Sequence, residues 1–415
     1  MAFANRFHGF RRAFSYRNYR YFAVGSGLSQ VGSWMQRVGV GWLAWDMTGS
    51  GAWLGAIAFA DMFPTVLLGP LAGVFADRID RMRLLRITQG AAAIHAAALA
   101  GLVAAGLMTI HLLIFLMLLR GVILAVNQPA RQALVSSLVD REALAPAIAT
   151  NSLIFNCARF VGPAVAGFVI AGGGGVVTVF AINAASFVVF MVLLRFVDLP
   201  PWQRHAGGSG VMAEAVEGFG YAARHPGIAT MIPMRLMSAF GARPVIELFP
   251  GIAAVVYGQG ADGLGLMLSV MGVGAIVAGL YLGQRDAVAG LTRVVVLNLF
   301  LLAAALLLFA FAGDFRIALA MVFALGFAQV LNGAGSQTLV QASVDPAMRG
   351  RVLSLFGLIN RGGPALGALA MGVLADQFGF ALPLALGSIL CLFAFLIGVL
   401  RRRTLEGALE GAPRG

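Results

Sequence analysis

The chain contains 415 residues, of which 60% are hydrophobic and 11% are charged, and its formal net charge is +12. Its mean hydropathy of +0.89 exceeds that of soluble domains. The composition therefore excludes a soluble globular protein and predicts one embedded in a bilayer. All 29 basic residues are arginine, and their placement at predicted helix ends indicates membrane topology, not nucleic-acid binding.

Twelve apolar stretches are long enough to cross the hydrocarbon core of a bilayer, which takes about 20 helical residues. They are residues 21–45, 53–76, 84–106, 111–129, 145–171, 175–198, 226–256, 262–283, 291–312, 316–339, 351–376 and 380–400. They fall into two sets of six. We therefore predict an all-α membrane protein with twelve transmembrane helices in two pseudo-symmetric six-helix bundles.

Polar segments divide the chain into four predicted parts. Residues 1–198 form an N-terminal six-helix bundle, and residues 226–400 form a C-terminal one. Residues 199–225 are predicted to be a cytoplasmic linker between the two bundles. Within this linker, residues 213–224 have the pattern of a short amphipathic helix on the membrane surface. Residues 401–415 form a cytoplasmic tail.

The arginines cluster at one side of the predicted membrane. The clusters are Arg6, Arg11, Arg12, Arg17 and Arg20 before the first helix, Arg78, Arg81, Arg83 and Arg86 after the second, and Arg401 to Arg403 after the last. By the positive-inside rule, this pattern places both termini in the cytoplasm. The first apolar stretch is too long for the core of a cleavable signal peptide, so we expect it to remain as a transmembrane helix.

The sequence contains an internal repeat. The segment QALVSSLVD, from Gln132 to Asp140, recurs as QTLVQASVD from Gln337 to Asp345, 205 residues later. Two similar halves in apolar sequence predict a transporter, because parallel repeats related by a pseudo-twofold axis form a midplane cavity that opens alternately to each side.

Ionisable side chains in the middle of transmembrane helices are costly and usually face a cavity or a partner. Seven lie away from the predicted helix ends: Arg37, Asp61, Arg120, Arg159, Arg243, Glu247 and Arg361. Five arginines against two carboxylates leave an excess of three positive charges. A cavity with this excess favours anionic or phenolate-bearing solutes over cationic drugs, whereas the alternative is that some arginines snorkel to the interface.

Polar side chains recur at helical spacing on the first helix, so that they share one face. The predicted lining residues of the substrate cavity are Gln30, Trp34 and Arg37 on this face, with Arg159, Arg243, Asn360 and Arg361 from other helices. An interhelical contact is the alternative role for each of them taken alone.

Asp61 and Glu247 are the two embedded carboxylates. No basic residue lies near Asp61 in the sequence, so we expect its buried carboxyl to bind and release a proton. Glu247 follows Arg243 by four residues, on one face of a predicted helix. It therefore acts either in proton coupling or as the ion-pair partner of Arg243.

Four segments carry a resemblance to a known family. GVFADRIDRMR, from Gly73 to Arg83 between the second and third helices, resembles the Gly-x-x-x-Asp-Arg-x-x-Arg signature of the major facilitator superfamily. SGLSQVGSWMQRVGVGWLAWDMTGS from Ser26, PARQALVSSLV from Pro129 and RGRVLSLFGLINRGGP from Arg349 resemble its bacterial exporter branch, which includes enterobactin exporters and macrolide efflux proteins. The resemblance covers essentially the whole chain and implies an inner-membrane protein that works by alternating access.

The signature segment implies a conformational latch between the two halves. Its residues are Gly73, Asp77, Arg78 and Arg81, and an ordinary positively charged loop is the alternative. Arg78 and Arg81 are the cations expected to compensate Asp77, whose carboxylate lies at an unfavourable helix C-terminus. Asp80 stands where the common pattern has a second glycine, so the loop geometry departs from that pattern.

The fifth helix carries GPAVAG, which resembles the Gly-Pro-x-x-Gly-Gly element of exporters, with Ala166 in place of one glycine. Gly162, Pro163 and Gly167 form the predicted helix-packing motif, and packing alone is the alternative. Arg120 on the fourth helix matches an arginine that many proton-driven members carry. The resemblance implies that Arg120 takes part in proton transfer, and we group it with Asp61 and Glu247 as the predicted proton-coupling residues.

These observations predict a secondary active transporter that exports a small amphipathic or anionic molecule, siderophore-like or drug-like, in exchange for protons. The alternatives are a proton-independent facilitator or importer of a lipid or metabolite, and a transport-inactive membrane sensor or scaffold. The expected partners are the small-molecule substrate, protons and membrane lipids. We expect a monomer without cofactor, metal, enzymatic activity or nucleic-acid partner.

Overall fold

The computed structural model describes residues 11–199, 211–285 and 288–411, and for residues 70–78 and 211–215 it describes the backbone alone. Within these residues the chain is helical and contains no strand. The all-α fold predicted from the apolar stretches is confirmed.

The first half of the chain contains six long helices. They are α1 (Arg17–Thr48), α2 (Gly51–Arg78), α3 (Arg81–Ala104), α4 (Ile110–Val135), α5 (Leu144–Val169) and α6 (Gly175–Leu194). A wide helical turn, Ile170–Gly174, connects α5 to α6. Gly173 and Gly175 have φ values of 86° and 64°, a conformation that is open to glycine but strained for other residues, so the chain reverses here.

The second half begins with a short amphipathic helix and then repeats the pattern of long helices. The elements are α7 (Val211–Arg224), α8 (Pro226–Gly241), α9 (Val245–Gly251), α10 (Ala261–Gly283), α11 (Leu291–Ala310), α12 (Phe315–Ser343), α13 (Arg349–Phe378), α14 (Ala381–Leu400) and α15 (Arg402–Leu409). Together, α8, α9 and the wide turn Ile252–Val256 make one apolar segment of 31 residues.

Ten segments of the described chain are long and apolar enough to cross a membrane. One of them, Leu144–Leu194, has 51 residues and contains both α5 and α6. The more polar α1 is not among the ten, but its 32 residues would extend about 48 Å at 1.5 Å per residue. Counting α5 and α6 separately and adding α1 makes twelve helices, in agreement with the sequence.

Packing divides the chain into two compact units. The first unit comprises Met1–Leu43 and Leu67–Gly208, and the second comprises Ala44–Val66 and Ser209–Gly415. The amino-terminal half of α2 therefore packs with the second unit. A Cβ atom at Gly55 on α2 would overlap the carbonyl group of Ala368 on α13, so the two helices touch through their backbones.

The two units begin corresponding helices in different ways. Asp80 caps α3, because its Oδ1 atom accepts hydrogen bonds from the backbone N–H groups of Met82 at 2.7 Å and Arg83 at 3.0 Å. This contact accounts for an aspartate where the signature pattern has glycine. The start of α11 is capped by Glu410, the residue that follows α15. Its carboxylate accepts hydrogen bonds from the backbone N–H groups of Gly290 at 2.6 Å and Thr292 at 2.7 Å.

Candidate functional site

Two predicted cavity arginines converge on one tryptophan in the first unit. The guanidinium carbon of Arg37, on α1, lies 5.4 Å from the centroid of the Trp34 ring, and that of Arg159, on α5, lies 5.6 Å away. The Phe155 ring meets Trp34 edge-on, with centroids 6.3 Å apart. We call these four residues the Trp34 cluster.

The Trp34 cluster depends on close contact between α1 and α5. Gly162 makes this contact, since a Cβ atom there would lie 2.6 Å from the Trp34 Cβ atom and 2.8 Å from the Val31 carbonyl oxygen. Pro163 and Gly167 follow on the same helix and are buried. Any side chain at position 162 would therefore separate Arg159 from Trp34.

The electrostatics of the Trp34 cluster are dominated by two like charges near a single ring. An indole face attracts cations, with about 0.5–1 kcal/mol gained at exposed sites and more where water is excluded. Trp34, Arg37 and Arg159 are half-buried. The ring thus holds both guanidinium groups in place, and their donors can bind an anionic group that approaches α1 and α5.

Gln30, one of the predicted cavity residues, lies one helical turn before Trp34 on α1. It contacts Ser26, which also binds Arg131. The Gln30 Nε2 atom donates to the Ser26 hydroxyl oxygen at 3.3 Å. Arg131 on α4 donates from Nε to the same oxygen at 3.1 Å and from Nη2 to the Ser26 carbonyl at 2.8 Å. Its guanidinium carbon also lies 5.7 Å from the Phe190 ring centroid.

Arg131 is a site residue that we did not predict from the sequence. It lies two positions after Pro129, in the segment that resembles exporters, and just beyond the predicted fourth apolar stretch. In the structure α4 continues to Val135, so Arg131 is a residue of the helix and not of a loop. The signal was the apolar sequence that continues beyond Pro129. A proline can lie inside a helix and kink it without ending it, and here Pro129 lies within α4.

A small polar cavity lies inside the first unit among α1, α3, α4 and α6. Its volume is about 40 Å³. Its lining polar residues are Ser29, Ser33, Gln36, Gln89, His95, Arg120, Asn127 and Arg131. Arg120, predicted to act in proton transfer, thus lines the same cavity as Arg131. The cavity is too small for a drug-sized ligand, which takes about 300 Å³ or more.

The second unit contains a buried arginine bound to two amides. Arg235 on α8 donates from Nε to the Asn360 Oδ1 atom at 2.8 Å and from Nη1 to the Asn332 Oδ1 atom at 2.8 Å. Ser238 donates to the same Asn332 oxygen at 3.2 Å. Only 5% of the Arg235 surface is exposed.

Arg235 was also missed at the sequence level, although Asn360 was predicted. Its signal was the one used for the seven embedded charges, a lone arginine within an apolar stretch. In the described part of the chain its hydrogen-bond partners are neutral amides, so the positive charge of Arg235 is solvated but not neutralised by them.

The structure corrects the expected geometry of Arg243 and Glu247. The helix ends at Gly241 and a new one starts at Val245, so Arg243 lies in the turn between α8 and α9. Pro244 lacks an N–H group and disfavours helical geometry at the residue before it, which accounts for the break. The two residues therefore do not belong to one continuous helix, and their ion pair stays a prediction. Both are half-buried.

The remaining predicted carboxylate and arginine both lie in the second unit. Asp61 is buried on α2, and Arg361 is half-buried on α13, next to Asn360.

Among the latch residues, Gly73, Asp77 and Arg78 belong to the last turns of α2, but their side chains lie outside the described residues. Arg81 donates to the carbonyl of Ala133 on α4, at 3.4 Å, and so joins the start of α3 to α4.

Comparisons with known proteins agree with this arrangement of helices. A family profile described as transmembrane secretion effector matches residues 12–411. The chain is 27% identical to the staphyloferrin A transporter of Staphylococcus aureus over 397 residues, which cover 95% of this chain and 99% of that protein. It is 26% identical to the enterobactin exporter of Shigella flexneri over 345 residues, 82% of this chain and 79% of that protein.

Solved structures of transporters share the fold. A bacterial homologue of the human lysosomal transporter Spinster, in an inward-facing and unoccupied conformation, superimposes with a TM-score of 0.73. The match covers 94% of this chain and 98% of that one, at 14% sequence identity.

Proposed function

The chain belongs to the transmembrane secretion effector family of the major facilitator superfamily, and we propose that it exports a small amphipathic or anionic molecule in exchange for protons. It is a multi-pass membrane transporter and not an enzyme. We place it in the bacterial inner membrane with both termini in the cytoplasm, because arginines concentrate at the corresponding helix ends.

The Trp34 cluster is the observation that carries the proposed substrate class. Arg37 and Arg159 converge on one aromatic ring within the first unit, at 5.4 and 5.6 Å. Two guanidinium groups bind carboxylate or phenolate oxygens, and the Trp34 and Phe155 rings offer surface to the apolar part of the same molecule. Such a cluster disfavours organic cations by like-charge repulsion.

The Arg235 group supports the same substrate class from the second unit. A buried guanidinium whose hydrogen-bond partners are neutral amides receives no counter-charge from them, and in a membrane such a charge is costly. An anionic solute near Arg235, Asn360 or Arg361 would offset part of that cost. Arg243 completes the proposed substrate contacts in this unit.

Proton coupling is assigned to Asp61, with Arg120 and Glu247 as the other members of the coupling set. Asp61 is the buried carboxylate of the set, with 9% of its surface exposed. A carboxyl that is neutral in one state of the cycle and ionised in the other carries one proton across per turnover. We assign the latch between the two states to Gly73, Asp77, Arg78 and Arg81.

Siderophores are the first substrates to test, because two relatives are named for transport of staphyloferrin A and enterobactin. The experiment is uptake into everted membrane vesicles driven by an imposed pH gradient. Anionic siderophores, macrolides, lysolipids and organic cations serve as competing solutes. Accumulation that collapses when the gradient is dissipated would support proton-coupled export, whereas equilibration without accumulation would show a facilitator.

A matched pair of variants tests the role of the Trp34 cluster. We expect Arg159→Gln to raise the KM for anionic solutes about tenfold, the effect of losing roughly 1.4 kcal/mol of binding. Arg293→Gln is the control, because Arg293 is exposed near the start of α11. The proposal is wrong if organic cations compete best and Arg159→Gln leaves their transport unchanged.

A further inference from the structure

Two neighbouring helices of the second unit, α11 and α14, pack against each other in opposite directions. The Phe300 and Phe395 rings meet with their centroids 5.4 Å apart. Nearer the start of α11, a Cβ atom at Gly398 would lie 2.9 Å from a methyl carbon of Val296. Each step forward on α11 is therefore a step back on α14, so the start of α11 lies beside the end of α14.

The outward side of this helix pair is apolar. We call its exposed residues the α11–α14 surface: Leu297 and Phe300 on α11, and Ile389, Phe393, Leu396 and Leu400 on α14. Those on α14 recur at intervals of three and four residues and so share one helical face. From Ile389 to Leu400 the helix rises about 16 Å, close to the roughly 15 Å that one leaflet contributes to the hydrocarbon core. The surface therefore matches the depth of the acyl chains of one leaflet.

Three arginines follow this surface where α14 ends. Leu400, the last residue of α14, is 83% exposed, and Arg401, Arg402 and Arg403 after it are all exposed. Arg402 pairs with Glu406 at 2.6 Å. The side chains of Arg401 and Arg403 form no hydrogen bond or ion pair within the described residues. Two guanidinium groups are thus available at one end of an apolar surface.

The segment that carries these arginines is fixed to the second unit. Leu405 and Leu409 of α15 are fully buried in the core of that unit. A Cβ atom at Gly227 would lie 2.7 Å from the Leu409 side chain, so α15 lies tightly against α8. Glu410 at the far end of α15 caps α11. Anchored in this way, the segment holds its cations in place, which lowers the entropy lost when they bind a ligand.

The charges of this segment favour an anionic ligand. Its two carboxylates are already engaged, Glu406 with Arg402 and Glu410 with the start of α11. Neither of these contacts involves Arg401 or Arg403. The first turn of α15 also contains no acidic residue, although the start of a helix attracts negative charge.

We propose that the α11–α14 surface, together with Arg401 and Arg403, binds one anionic phospholipid of the adjoining leaflet. The acyl chains cover the apolar residues, and the two guanidinium groups donate hydrogen bonds to the phosphodiester oxygens of the headgroup. Each basic residue near the surface favours an anionic lipid over a neutral one by about fivefold, so two of them give about twenty-five-fold. All of these residues belong to the second unit. Lipid binding therefore depends neither on the transported solute nor on a pH gradient.

The test is native mass spectrometry of the full-length protein, delipidated in detergent. Phosphatidylglycerol and phosphatidylethanolamine with identical acyl chains compete at equal concentration, so only the net charge of the headgroup differs in sign of preference. We expect the first bound lipid to be phosphatidylglycerol, by about twenty-five-fold. Equal binding of the two lipids by the unmodified protein would overturn the proposal.

The double variant Arg401→Gln, Arg403→Gln should lose most of this preference. Both side chains are exposed and bond to no protein group in the described part of the chain, so the variant should fold. Replacing both arginines with lysine keeps the charge and should retain most of the preference. An unchanged preference in the double glutamine variant would contradict the assignment.

Arg195→Gln is the matched control from the first unit. Arg195 is the exposed residue that follows α6, as Arg401 follows α14, and α6 packs on α3 as α14 packs on α11. Phe196 and Val197 come next in place of two further arginines. This variant should leave the lipid preference unchanged. A loss as large as that of the double glutamine variant would show a general effect of surface charge and refute the site.

Two further measurements separate a phospholipid from free phosphate. Phosphatidylglycerol with short acyl chains should bind more weakly than the long-chain lipid, because it covers less of the α11–α14 surface. Inorganic phosphate should not displace the long-chain lipid. Equal binding of the short-chain and long-chain lipids, or displacement by phosphate, would show that the arginines bind phosphate alone, and the lipid assignment would be wrong.

Discussion

The Tyr221 hydroxyl donates a hydrogen bond to the Asp345 carboxylate at 3.1 Å, and Asp345 returns one from its backbone N–H to the same hydroxyl at 3.2 Å. In the first unit, 205 residues earlier, Tyr16 donates to Asp140 at 3.0 Å. Each pair ties the segment before the first long helix of a half to the connection between its fourth and fifth long helices. The sequence repeat therefore extends to individual hydrogen bonds.

The ion pairs beside these hydrogen bonds have opposite polarity in the two units. In the first unit Arg12, before α1, pairs with Glu142. In the second unit Glu217, on α7, pairs with Arg351 at 2.7 Å. All four side chains are partly exposed, so each pair contributes at most about 1 kcal/mol. The tyrosine and aspartate pairs, which are the same in both units, are the better targets for mutation.

Tyr221→Phe should lower the stability of the second unit by about 1 kcal/mol, the typical value for one intramolecular hydrogen bond. Burial raises the pKa of the Tyr221 hydroxyl, so its contribution is present below pH 10 and is lost as the pH rises through the folded-state pKa. The measurement is Tm in detergent from pH 7 to 11. Tyr281→Phe is the control, and a loss of equal size there would contradict the prediction.

His225 should make stability depend on mildly acidic pH. Its Nδ1 atom accepts a hydrogen bond from the Ile228 N–H at 3.3 Å and caps α8, which only the neutral imidazole can do. Burial lowers the pKa of His225 below 6.5, so its contribution is present above pH 6.5 and is lost as the pH falls. His225→Asn should keep the cap and flatten the Tm profile between pH 5 and 7. An unchanged pH profile in that variant would refute the assignment.

Glu410→Ala should destabilise the start of α11 by about 1 kcal/mol, because the carboxylate caps two backbone N–H groups there. Glu410→Gln should lose less stability than Glu410→Ala, since its amide oxygen can still accept a hydrogen bond from these N–H groups. Hydrogen exchange of the amides of residues 290–294 measures the effect directly. Glu406→Ala is the control, because Glu406 pairs with Arg402 on the exposed face of α15. Equal exchange in both alanine variants would exclude the cap as the cause.

Asp61→Asn should separate two kinds of transport. The variant should still exchange substrate down its own gradient but should not accumulate it with a proton gradient, since an amide cannot change charge between states. Glu247→Gln should retain more proton-driven accumulation than Asp61→Asn if Glu247 has a structural role. The measurement is substrate-induced proton release in proteoliposomes. Proton release that persists in Asp61→Asn and disappears in Glu247→Gln would transfer the role to Glu247.

Asp77→Asn should abolish turnover while expression and membrane insertion stay normal, because the latch couples the two halves of the chain. Asp80→Asn is the matched control three residues away. Asn is as good an N-cap as Asp, so this variant should keep the cap on α3 and retain transport. Transport by a well-expressed Asp77→Asn variant at the normal rate would contradict the latch assignment.

The sequence by itself determined the class of the protein, its twelve helices and the repeat, because hydropathy and length are local properties of a segment. It also placed Trp34 and Arg37 on one face, since residues three apart on a helix are neighbours. For Arg243 and Glu247 it assumed one continuous helix, whereas the structure interrupts the helix at residues 242–244.

Only the tertiary structure decided which side chains meet between helices. Arg131 reaches Ser26 over 105 positions of sequence, and Arg235 reaches Asn332 and Asn360 over 97 and 125 positions. Such contacts depend on the rotation and tilt of each helix about its axis, which packing against neighbours sets and hydropathy does not. For the same reason the amino-terminal half of α2 packs with the second unit, although sequence order assigned it to the first bundle.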